Sequence, residues 1–134
     1  MQHRDLYPAL VTCLALLVYF WNFVSAGVAR GKHKIVAPAT AGHPEFERKL
    51  RIQQNMIEQL LFFIPALWIF SLTVSVLVGA ALGLVFVAGR ILYSVSYAKD
   101  AAKRGPGFML AGFPNVILLF GGFIGVIRLF LLDT

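Results

Sequence analysis

Charge disappears from long stretches of this chain and returns in short, dense runs. Tyr7 to Val28 is apolar except for Thr12, Asn22 and Ser25, and residues 59–89 carry no charged side chain. A membrane-spanning helix takes about 20 apolar residues at 1.5 Å of rise each. The first run fits one such span. The second would reach ~46 Å as a single helix, too long for a hydrocarbon core of about 30 Å. The polar, β-branched stretch Ser71-Leu72-Thr73-Val74-Ser75 is therefore expected to turn the chain back. The pattern predicts four spans, near residues 7–28, 47–70, 75–98 and 107–132. Pro44 suits the first turn of the second helix, where its missing N–H costs little. Pro65 falls mid-span and predicts a kink there.

Composition agrees. Of 134 residues, 59% are hydrophobic and 13% charged, with a mean hydropathy of +0.79. A soluble domain of this size needs far more polar surface. Four spans and their loops use up the chain, so residues 1–134 are read as one all-α membrane domain with no separate soluble part. Val24-Ser25-Ala26 resembles a small-residue cleavage site, which raises a signal peptide as the alternative for the first span. Its apolar run is longer than the roughly 7–15 residues of an h-region, and Asp5 dilutes the positive start. A retained span is expected.

Charge then sets an orientation. Arg30, Lys32, Lys34, Arg48, Lys49, Arg51, Arg90, Lys99, Lys103 and Arg104 fall at one end of the predicted bundle, leaving only Arg4 and Arg128 of the twelve basic residues elsewhere. The positive-inside rule assigns that end to the cytoplasm. This bias and anionic lipid account for the net charge of +6, and no motif supports a nucleic-acid partner. The lone Cys13 has no internal partner for a disulfide, and a thiol in apolar surroundings is a poor nucleophile. No Cys/His spacing suggests a metal, and His3, His33 and His43 are expected in solvated segments. Gly79-x-x-x-Gly83 and Gly121-x-x-x-Gly125 each put two small residues on one face, for close packing either within a subunit or between subunits.

Two polar stripes carry the chemistry. Arg51, Asn55 and Glu58 stand at i, i+4 and i+7 and share one helical face, with Arg48 a turn earlier. Arg90, Tyr93 and Tyr97 form a second stripe on the third span. Arg104 follows in the next connection and Arg30 ends the first span. One Arg–Glu pair reads as a structural clamp. One acid cannot satisfy five arginines, however, so the set calls for an anionic guest that also offers a cation to Glu58, such as a zwitterion with more than one carboxylate.

These residues resemble a known family. Glu47-Arg48-x-x-Arg51-x-x-x-Asn55-x-x-Glu58 and Arg90-x-x-Tyr93-x-x-x-Tyr97 look like signatures of the MAPEG family, the membrane-associated proteins of eicosanoid and glutathione metabolism. The likeness covers nearly the whole chain and is to the microsomal glutathione transferase and leukotriene C4 synthase branch, in a prokaryotic-type form. It implies a left-handed bundle of four transmembrane helices assembled as a homotrimer, with glutathione as cosubstrate between adjacent subunits near the cytoplasmic face. It further implies that Arg30, Arg51, Gln53, Asn55, Glu58, Arg90, Tyr93 and Tyr97 bind glutathione, and that Arg104 favours its thiolate.

This chain also departs from the family pattern. Gly31 follows Arg30 and Gln59 follows Glu58, where an eicosanoid-forming member has a second arginine and a tyrosine. Gly105-Pro106-Gly107 follows Arg104, where another such member has a serine after its catalytic arginine. The resemblance therefore implies a detoxifying glutathione transferase, with glutathione-dependent peroxidase activity beside it, acting on apolar electrophiles from the lipid. A non-catalytic lipid- or glutathione-binding protein is the alternative. A small transporter is weaker, because Glu58 sits among arginines near the membrane edge. The implied location is a bacterial inner membrane, or the endoplasmic reticulum in a eukaryotic source. No metal is expected.

Overall fold

A computed structural model describes residues 2–133. After a short 3-10 turn at His3–Asp5, four helices follow: α1 (Leu6–Lys32), α2 (Pro44–Thr73), α3 (Val76–Lys99) and α4 (Gly105–Leu132). All four are long and apolar enough to cross a membrane. The predicted turn lies where the β-branched stretch put it. Thr73 ends α2 and Ser75 caps α3, its hydroxyl accepting from the Val78 N–H at 3.2 Å. With two residues between them, α2 and α3 are antiparallel neighbours.

The helices overrun the predicted spans at the basic end. α1 continues through Arg30 and Lys32, whose charges suit a helix C-terminus. Lys34 then takes a left-handed conformation (φ 53°), and the Ile35 N–H closes back on the Arg30 carbonyl at 3.0 Å. α2 starts at Pro44, in the first turn as expected. The His43 Nδ1 accepts from the Glu45 N–H at 3.1 Å, and Glu45 and Glu47 sit in the favourable first turn. At 30 residues α2 reaches ~45 Å, so its first turns project beyond an apolar slab of about 30 Å. The charged stripe belongs to that projecting end. α2 passes Pro65 as one helix.

Val11, Ala15 and Val18 of α1 share one face and pack on Met56, Phe63 and Leu67 of α2 and Phe86 of α3. The Phe63 and Phe86 rings stack with centroids 3.7 Å apart. Large apolar side chains such as Leu17, Leu61, Leu72, Phe120 and Phe123 point outward, as a lipid-facing surface requires. Some polar groups within the apolar layer pair across helices. The Trp68 indole donates to the Thr12 hydroxyl at 3.0 Å, and that hydroxyl donates to the Pro8 carbonyl at 2.8 Å.

The glycine pairs face inward. A Cβ on Gly79 would lie 2.5 Å from the Ser71 hydroxyl, and one on Gly83 would lie 2.5 Å from a Val11 methyl. On α4, a Cβ on Gly121 would meet the Phe70 ring at 2.6 Å, and one on Gly125 would collide with Thr73. Of the two packing roles open to them, all four glycines serve contacts within the chain.

Candidate functional site

Two glycines let α4 pack closely against α3. A Cβ on Gly89 would sit 2.5 Å from the Ala111 nitrogen, and one on Gly107 would strike the Tyr93 backbone. The connection before α4 is equally fixed: the Asp100 carboxylate accepts from the Ala102 N–H at 3.0 Å and organises a 3-10 turn at Ala101–Lys103. Arg104 and Phe108 are thereby delivered beside the tyrosines of α3. Together with α2 they enclose a recess of about 390 Å³, lined by Arg51, Asn55, Tyr93, Tyr97, Arg104 and Phe108.

The recess is polar and cationic. Tyr93 is buried, Tyr97 half-buried, and their ring centroids are 5.5 Å apart. The Arg104 guanidinium lies 5.7 Å from the Tyr97 ring centroid. On α2, Arg51 Nη1 donates to Glu58 Oε1 at 3.0 Å, and Asn55 Nδ2 reaches Glu58 Oε2 at 3.4 Å. The Arg51 and Glu58 side chains are 48% and 54% exposed, so their pairing is weak and a ligand can replace it. Arg90 lies beneath this layer, fully buried. Its Nη1 donates to Asn55 Oδ1 at 2.8 Å, its guanidinium sits 4.2 Å from the Tyr93 ring centroid, and its Nε and Nη2 have no hydrogen-bond partner among the described residues. It supports the wall of the recess from below.

The recess thus sets two guanidinium groups beside two phenols and an amide, with a carboxylate adjoining. The model of the MAPEG family matches residues 8–124. This chain belongs to the MAPEG family. A Synechocystis protein described as uncharacterized is 42% identical over 122 residues, covering 91% of this chain and 89% of the relative. Human microsomal glutathione S-transferase 2 is 37% identical over 131 residues, covering 98% and 89%. Guinea-pig (Cavia porcellus) leukotriene C4 synthase is 34% identical over 96 residues, covering 72% and 64%. Family membership and four helices of spanning length make the chain an integral, multi-pass membrane protein.

Within one chain of this MAPEG protein, not every expected residue reaches the recess. Arg51, Asn55, Tyr93, Tyr97 and Arg104 line it, Glu58 adjoins it through Arg51 and Asn55, and Arg90 underlies it. Gln53 does not line it, since two residues along a helix turn it about 200° from Arg51. Arg30 donates to the Ala39 carbonyl at 2.8 Å and lies 4.6 Å from the Phe46 ring centroid, so it fastens the α1–α2 loop. Arg48 departs from the expected stripe as well: its Nε donates to the Ala98 carbonyl at 3.1 Å, at the end of α3. The picture of five converging arginines is corrected accordingly. Loop and helix-end carbonyls take two of them.

Two participants were not anticipated. Phe108 walls the recess, and Gly107 brings α4 close enough for it to do so. The small-xxx-small spacing of Gly107 and Ala111 was the available signal.

Proposed function

We propose that this MAPEG protein is a membrane glutathione transferase, also competent to reduce lipid hydroperoxides, that conjugates glutathione to apolar electrophiles arriving from the bilayer. One observation carries the reading. Two guanidinium groups, Arg51 and Arg104, face one recess with two phenols and an amide, and a carboxylate lies next to it. Arg51 would hold a glutathione carboxylate, Glu58 its ammonium, and Asn55, Tyr93 and Tyr97 the peptide. Arg30 and Gln53 point away from this recess, and in a homotrimer they would complete a neighbouring subunit's site. The relatives named glutathione S-transferase and leukotriene C4 synthase favour this reading. The basic bias favours a site on the cytoplasmic side, in a bacterial inner membrane or the endoplasmic reticulum.

Arg104 has the decisive role. A free thiol titrates near pH 8.5, so only a few per cent is thiolate at pH 7. Lowering that value by about two units takes ~2.7 kcal/mol of preferential thiolate stabilisation, within reach of a guanidinium in a partly desolvated recess. The thiolate absorbs near 240 nm, so a difference spectrum against pH reads the bound thiol directly. Wild-type protein is expected to bind glutathione with a depressed thiol pKa and to conjugate 1-chloro-2,4-dinitrobenzene. Arg104→Ala should keep binding and lose the depression. A wild type that binds glutathione with an ordinary thiol pKa and no turnover would make the protein a binder rather than a transferase.

A further inference from the structure

Behind the recess, α2 and α3 wall a second polar cavity. Tyr93 and Tyr97 turn one face of α3 to the recess, while Ser94 and Ala98, one position further on, turn another toward α1. There they line a cavity of about 190 Å³ with Trp21, Asn22 and Ser25 of α1 and Lys49 of α2. Asn22 stands ~12 Å along α1 from Arg30, and Ala98 is next to the last residue of α3. The cavity thus runs from the charged layer into the apolar one. Asn22 is only 3% exposed, and its Nδ2 has no hydrogen-bond partner among the described residues. A buried amide left unbonded is costly, and leucine would serve helix contact better. Its carboxamide can turn over in the same space and present the NH₂ to the cavity.

Charge and size name the occupant. Lys49 Nζ lies 3.8 Å from Glu45 Oε1, and Lys32 Nζ lies 3.4 Å from Glu45 Oε2. One carboxylate against two ammonium groups leaves positive charge beside the cavity. Ser94 gives its proton to the Arg90 carbonyl at 2.8 Å, so its oxygen can only accept. An ammonium, an amide and the Ser25 hydroxyl therefore face an oxyanion, with one acceptor beside them. Donors from two helices suit the tetrahedral oxygens of a phosphate better than a planar carboxylate. Whole small-molecule sites run about 300–1,000 Å³, so only the end of a larger ligand fits. Trp21, 42% exposed, forms the rim, and Leu17 and Leu10 continue its face of α1 away from the charged end, both exposed. We propose that this cavity binds the headgroup of a glycerophospholipid that carries a hydroxyl, with its acyl chains along Leu17 and Leu10. Lys49, Asn22 and Ser25 hold the phosphate, and Ser94 accepts from the headgroup hydroxyl. Free phosphate shares the anionic chemistry but leaves Ser94 and the apolar track unused. The site is independent of the chemistry in the recess.

The test is native mass spectrometry of the full-length protein in detergent, titrated with dioleoylphosphatidylglycerol. Three competitors separate the parts of the ligand. Dioleoylglycerol has the chains without phosphate, inorganic phosphate has the reverse, and dioleoylphosphatidylcholine has both but no hydroxyl and no net negative charge. Saturable binding of the first lipid is expected, with each competitor weaker. Lys49→Gln should lower that affinity roughly 10- to 150-fold for loss of a charge-assisted contact. Asn22→Leu should lower it about 3- to 10-fold, with the unfolding temperature in lipid-free detergent held or raised. Lys99→Gln removes an exposed charge at the same end of the bundle, outside the cavity, and should bind as the wild type does. No greater loss in Lys49→Gln than in Lys99→Gln would overturn the proposal, as would equal affinity for dioleoylglycerol or dioleoylphosphatidylcholine. Equal affinity for inorganic phosphate would overturn it too, and give the cavity to the free anion.

Discussion

Gly107→Ala places one methyl group where α4 touches α3. The added Cβ would run into the Tyr93 backbone nitrogen and lie 2.6 Å from the Tyr93 Cα. Main chain cannot swing aside as a side chain tip can, so the helices must separate by several tenths of an ångström. Overpacking of this kind costs about 1–3 kcal/mol. Alanine's advantage over glycine in a helix interior, about 0.8–1.0 kcal/mol, offsets part of it, and less so this near a helix start. Gly27→Ala in α1 provides the reference, because a Cβ there meets nothing within 4 Å. It should gain the propensity term alone. The two variants are expected to differ by ~1–3 kcal/mol in a reversible unfolding assay in detergent, with Gly107→Ala the weaker. The larger consequence is functional, since Arg104 and Phe108 flank the displaced residue. Isothermal titration should show weaker glutathione binding in Gly107→Ala and wild-type binding in Gly27→Ala. Equal stability and equal affinity in the two variants would refute the claim that this contact builds the recess.

Three further outcomes follow from the geometry. Glu58→Gln should leave the fold intact, because its half-exposed pairing with Arg51 is worth about 0–1 kcal/mol. Glutathione affinity should fall roughly 10- to 150-fold for loss of one charge-assisted contact, and unchanged affinity would make Glu58 merely arginine's partner. Arg90→Met replaces a buried, incompletely satisfied cation, so thermal stability should hold or rise while affinity falls ~10-fold as Asn55 loses its anchor; stability and affinity lost together would assign Arg90 a purely structural role. A cysteine in place of the exposed Lys32 should resist a membrane-impermeant maleimide in intact cells, and rapid labelling there would reverse the orientation.

The bundle and half of its site could be read along the chain because the causes are local. Bilayer thickness dictates how long an uncharged run can be, so residues 59–89 had to fold back, and the chain does so between Thr73 and Val76. Helical periodicity puts Arg51, Asn55 and Glu58 on one face in any environment, and the same holds for Tyr93 and Tyr97. What the packed helices alone decided is which way each remaining group turns. Arg30 and Arg48 went to the Ala39 and Ala98 carbonyls, acceptors left free by a loop and a helix end whose positions depend on the whole bundle. Arg90 shares a stripe with Tyr93 yet ends beneath the recess, because the rotation of α3 against α2 buries that part of the stripe. The glycine pairs could have served either of two interfaces, and Phe70, Thr73 and Val11 filled the space beside them from within. Asn22, Lys49 and Ser94 mean little together until three helices meet. Spacing encodes faces, and the azimuth at which faces meet is a property of all the contacts at once.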